Sequence, residues 1–156
     1  MKYVAFNFLV IFVAIGSFYS FAKDAIPLSW TTMKQLNYET GEMSESLLNV
    51  SDQLVEVKGF IVPLEMDEYL NTVKEFFLVP DPMACIHVPP PPPNQIIYIR
   101  MKKRIPLDMD YRGVAIQGTL RFSHSSNGIH GYEMDGISAK EADVEYDDPL
   151  KDILDY

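Results

Sequence analysis

Cys85 and His87 stand one residue apart in the run Pro80 to Gln95, which reads PDPMACIHVPPPPPNQ. Alternate residues of an extended chain share a face, so a thiol and an imidazole at this spacing project together and can grip one ion. A thiolate with an imidazole suits zinc or a copper ion and is a poor match for magnesium or calcium. Met83 falls on the same alternate register, and its thioether tilts the preference toward Cu(I). Two ligands do not hold zinc tightly, because tetrahedral sites take three or four. His124 and His130 flank the loop between the last two expected strands, and either completes a Cys/His/His set if that hairpin folds toward Cys85.

Two other uses of the same residues compete with metal binding. A lone cysteine between Ala84 and Ile86 also fits a small buried hydrophobe, and a neighbouring histidine also serves to donate to a backbone carbonyl. A thiol enzyme, with Cys85 as nucleophile and a histidine as base, is the third reading. No oxyanion-hole or glycine-rich signature accompanies it, so no catalytic residue is assigned. Pro89 to Pro93 form a stiff left-handed extended helix of about 3.1 Å per residue whose carbonyls lack internal partners. Such a segment serves either as a docking edge for an aromatic-lined groove or as a strap that sets the register of the strand beginning at Gln95. Asn94 and Gln95 are placed to hydrogen-bond the free proline carbonyls.

The elements that must carry these residues read as β-strands. Leu54 to Pro63 (LVEVKGFIVP) alternates apolar with polar, becomes fully apolar and stops at proline. Glu75 to Val79, Gln95 to Met101, Val114 to Phe122 and Gly131 to Ala139 follow, with no long amphipathic helix between them. Gly59 and Gly118 lie inside long strands, where a bend or a close backbone approach is needed. Five such strands predict an all-β domain, a small five-stranded OB-like Greek-key barrel over residues 54–140; a small β-sandwich is the alternative. Residues 23–53 read as a partly helical N-terminal extension with Trp30, Met33, Leu36, Leu47 and Leu48 as anchors. Arg100, Lys102, Lys103 and Arg104 form the one basic cluster, before Pro106, and read as a hairpin tip.

Composition bounds the partners. The 156 residues carry 22 acidic against 13 basic side chains, a net charge of −9, which repels phosphate backbones and disfavours nucleic acid as a ligand. One cysteine closes no intramolecular disulfide. Met1 and Lys2 precede an almost wholly apolar run from Tyr3 to Phe21, and Ser20-Phe21-Ala22 has the small-x-small form that a signal peptidase reads. A leader over residues 1–22, cleaved after Ala22, predicts an exported, periplasmic protein with no stable membrane span after cleavage; the alternative is a retained anchor. Cleavage removes Lys2 alone among the charges and leaves 12 basic against 22 acidic residues. Residues 141–156 hold seven carboxylates against Lys151, which reads as a flexible acidic tail.

The string ACIHVPPPPPNQ, with GFIVPLE (Gly59 to Glu65) and EFFLVP (Glu75 to Pro80) upstream, closely resembles the bacterial envelope family classed as domain of unknown function 3299. The resemblance covers roughly Leu54 to Ala139. It implies an exported protein, in relatives often a lipoprotein, encoded in some bacteria beside an ABC-type exporter and metal-responsive genes, and it supplies no catalytic residue. This chain has no cysteine near Ala22, so lipid attachment is not expected. The expected function is therefore that of a non-enzymatic periplasmic accessory protein, linked to transition-metal homeostasis or to an envelope transporter, with zinc or copper at Cys85 and His87. The alternative is a metal-free adaptor that docks another periplasmic protein through its polyproline strap.

Overall fold

Strand β2, Leu54–Pro63, bends at its middle and so takes part in both halves of the sheet. In the computed structural model, which describes residues 24–64, 71–85, 91–107, 112–126 and 128–145, the preceding elements are β1 (Ile26–Pro27), α1 (Trp30–Met33) and α2 (Glu45–Leu48). After β2 come β3 (Thr72–Val79), β4 (Ile97–Pro106), β5 (Val114–His124) and β6 (His130–Glu141). The order β2-β3-β4-β6-β5 closes on itself, because Leu54 to Gly59 pair with β5 while Phe60 to Pro63 pair with β3. Every barrel pair is antiparallel except β4 with β6. The fold is the expected small OB-like barrel, with β1 added in parallel beside β2.

Gly59 permits the bend. A Cβ there would sit 2.5 Å from the carbonyl oxygen of Val79, a backbone atom that cannot swing aside. Gly118 plays the same part on β5, where a Cβ would lie 2.5 Å from the oxygen of Asp135 and the register with β6 shifts.

Inward residues fill the barrel with one continuous core that includes Val55, Phe76, Ile97, Ile99, Ile116, Leu120 and Met134. The N-terminal segment joins it: Met33, Leu36 and Leu47 are wholly buried in the same cluster, with Leu28 and Val50 beside them. Among the described residues no helix is long and apolar enough to cross a membrane.

Two elements differ from the expected ones. β4 begins at Ile97, because Pro93–Gln95 turn in a 3-10 helix, and it runs on through the basic cluster to Pro106. Lys102, Lys103 and Arg104 therefore lie on a strand. All three are exposed between buried Met101 and Ile105, so alternation fails there: Ile105 pairs with Val73 and Arg100 with Glu75, so β4 carries extra residues, 101–104, opposite Lys74 alone. The acidic tail begins inside β6, and its next residues are tied down: Ala142 N–H donates to Gly113 O, Val144 N–H to Arg112 O, and Asp143 pairs with Arg112. Residues 146–156 lie outside the described residues, as does the expected leader.

Candidate functional site

The parallel pairing of β4 with β6, Ile97 opposite Tyr132, brings the β3–β4 and β5–β6 connections to one end of the barrel. The first connection carries Cys85 and His87. The second is bordered by His124 and His130, which face each other as register partners across β5 and β6. Continuing the parallel register two residues back from Ile97 and Tyr132 sets His130 level with Gln95, and the Pro93–Gln95 turn packs against β6.

Cys85 closes a 3-10 turn, Pro82–Cys85. Asp81 fixes the entry to that turn by accepting from the Met83 N–H at 2.8 Å, as a short acidic side chain commonly does before a turn. The turn rests on β2. His87 lies outside the described residues, and so do the side chains of Cys85 and His130. His124 is exposed at its strand end. Among the described residues no group of three or more His, Cys, Asp or Glu side chains converges as a metal cage does.

The far end of the connection is anchored differently from the sequence expectation. The Asn94 side chain, buried, donates to Lys34 O at 3.2 Å and Leu36 O at 2.9 Å. These carbonyls belong to the turn just past the end of the short helix α1. Tyr132 OH donates to a third, Met33 O, at 2.7 Å. Among the described residues only backbone groups serve the prolines: Gln95 N–H donates to Pro92 O and Ile96 N–H to Pro93 O. The polyproline exit thus pins the N-terminal helix to the barrel.

Four remote segments converge on a cleft of about 720 Å³, walled by Trp30, Lys34, Pro80, Asp81, Pro92, Gln95 and Glu145 among others. Trp30 is held by an indole N–H bond of 2.6 Å to Lys58 O, and its other side borders a smaller hollow of about 320 Å³ with Pro27 and Glu56.

The family model described as "Protein of unknown function (DUF3299)" matches residues 27–141. The chain belongs to the DUF3299 family. The crystal structure of a DUF3299 family protein from Pseudomonas aeruginosa PAO1 is similar to it at 25% identity, with a TM-score of 0.58, covering 79% of this chain and 99% of that one. No curated protein matches the chain.

In many barrels of this type the ligand lies on the outer face of the second and third strands, here β3 and β4. On this DUF3299 protein that face is occupied by an internal polar network. Tyr98 OH donates to Glu75 at 2.7 Å, Arg100 Nε donates to Glu75 at 3.1 Å and its Nη2 to Tyr98 OH at 3.1 Å. Phe77 packs edge-on against Tyr98, and Arg121 pairs with Asp135, the register neighbour of Arg100. The Tyr98 and Arg100 bonds hold the Glu75 carboxyl below its usual range, while donating to that carboxylate raises the Tyr98 phenol. Arg100 and Arg121 are committed to carboxylates, so neither offers an anionic strand an uncompensated charge.

Proposed function

We propose that this DUF3299 protein is a non-enzymatic accessory protein of the bacterial envelope, linked to transition-metal homeostasis or to an ABC-type transporter, and that Cys85 with His87 captures zinc, copper being the alternative. The observation that carries this reading is the shared barrel end: the connection bearing Cys85 and the hairpin bearing His124 and His130 emerge side by side because β4 and β6 run parallel. A soft-ligand pair on one connection then has two further imidazoles on its neighbour, enough for a tetrahedral set. The stiff proline run and the Asp81-capped turn limit the conformational freedom that ligands on a loose loop would lose on binding. The extracytoplasmic location follows from the apolar leader with its Ser20-Phe21-Ala22 exit.

Native mass spectrometry of residues 23–156 with stoichiometric zinc tests the reading. One bound ion is expected in the parent protein and none in Cys85→Ser; equal occupancy in both would remove Cys85 from the site. Expression with the leader should give a soluble periplasmic chain beginning at Lys23, whereas a membrane-bound chain retaining Met1 would contradict export with cleavage.

The second reading is an adaptor without metal, favoured by the exposure of Pro92 at the cleft. Capture of a transporter subunit from envelope extracts that survives chelation and Cys85→Ser would put it first.

A further inference from the structure

Gln95 is 6% exposed and lines the cleft beside Trp30 and Pro92. Its Nε2 donates to Asn94 O at 2.8 Å, and its Oε1 and second amide proton have no protein partner among the described residues. Buried polar groups are almost always paired, and leaving one unmade is costly. A buried amide with a free acceptor and a free donor side by side is the complement of another amide. The walls fit an apolar body: the Trp30 ring on one side and the rings of Pro80, Pro91 and Pro92 on the other. The prolines are already ordered, so binding against them costs little further entropy. Two carboxylates, Asp81 and Glu145, outnumber the single ammonium of Lys34 at the margin. Among the described residues Asp81 uses only Oδ1, for the Met83 N–H, which leaves Oδ2 for a ligand.

From this arrangement we infer that the cleft binds an extended segment of a partner protein carrying a basic side chain. The Gln95 amide pairs with the segment's backbone amide, the proline and tryptophan rings hold its apolar atoms, and Asp81 with Glu145 receives the cation. The excess of carboxylate disfavours phosphate-bearing ligands at this place. A cleft of about 720 Å³ is within the range of about 300–1,000 Å³ usual for ligand sites. The proposed contacts use neither Cys85 nor His87 and do not need a metal.

Trp30 is the only tryptophan of the chain, so intrinsic fluorescence reports on the cleft directly. Titrations in EDTA should compare acetyl-Ala-Leu-Lys-Ala-amide with the same peptide carrying glutamate for lysine, and with its unblocked form. The blocked lysine peptide is expected to give a saturable change and to bind about fivefold more tightly than the glutamate peptide. Gln95→Met, which keeps the shape, should weaken it about tenfold. Asp81→Asn, which retains the turn cap, and Glu145→Gln should together erase the lysine preference, and they carry the test if the Gln95 variant does not fold. Cys85→Ser should leave all of these values unchanged, so failure here is distinct from failure of the metal reading. An absent or unsaturable change, an equal affinity for the glutamate peptide, indifference to the substitutions, or tighter binding of the unblocked peptide would each overturn the inference.

Discussion

The hydroxyl of Tyr132 on β6 donates to the carbonyl of Met33 at the end of α1, 2.7 Å away and 99 residues apart in sequence. Burial pushes this phenol's pKa upward, so it remains a donor throughout the physiological range. With the two Asn94 bonds to Lys34 O and Leu36 O, it satisfies the carbonyl end of a helix of only four residues, too short to be stable by itself.

Tyr132→Phe keeps the ring in the core and leaves Met33 O with the Leu36 N–H, 3.2 Å away, as its donor. We expect a loss of about 0.5–1.5 kcal/mol in urea unfolding. Asn94→Ala strands two carbonyls and should cost at least as much, with Asn94→Asp no better because a carboxylate cannot donate. Equal stability in both variants would mean that the N-terminal segment is held by apolar packing alone.

Gly59→Ala places a methyl 2.5 Å from Val79 O and 3.0 Å from Leu78 Cγ. Relief requires β2 and β3 to separate, so a loss of about 2–3 kcal/mol in thermal or urea unfolding is expected. An alanine at Gly128, where the φ of 83° is unfavourable but nothing lies within 4 Å of the added methyl, should cost only about 1 kcal/mol.

The strands were legible from alternation: Val55 and Val57 go in and Glu56 and Lys58 stay out, as the pattern of Leu54 to Pro63 implies. Gly59 and Gly118 were legible too, since a glycine inside a β-branched run has few other uses. β1 was not, because two residues carry no period and its pairing depends on β2 some thirty residues later. The basic cluster escaped because three consecutive exposed cations follow no strand period; the extra residues that β4 carries there show only in its register with β3. The cleft was hidden for the same reason as the Asn94 bonds. Its walls come from residues 30, 81, 92, 95 and 145, whose convergence is a property of the closed barrel. The metal-ligand pair, by contrast, was visible at once because its spacing is local.

Acid should weaken the fold through two carboxyls. Gln117, foremost, and Lys140 hold Glu56 below its ordinary pKa, and Tyr98 and Arg100 do so for Glu75. A carboxyl depressed in the folded state stabilises it above the unfolded pKa, and that contribution is lost as pH falls through the folded value. Stability should therefore decline below about pH 4.5, and the Glu56→Gln/Glu75→Gln double variant should start lower and fall less steeply. Parallel pH profiles for the two proteins would show that these bonds do not form in solution.

Whether Cys85 is a metal ligand is measured most directly by its alkylation rate in the folded protein as zinc is added. Cys85 is the one thiol in the chain, so the signal is unambiguous. Zinc should slow alkylation in proportion to occupancy, lower the thiol's apparent pKa and raise the melting temperature with metal concentration. EDTA should reverse all three, and His87→Ala should abolish the protection, while His124→Ala and His130→Ala identify which imidazole completes the set. A rate indifferent to both zinc and copper, with His87→Ala behaving as the parent protein, would contradict the claim and reduce Cys85 to a packing residue.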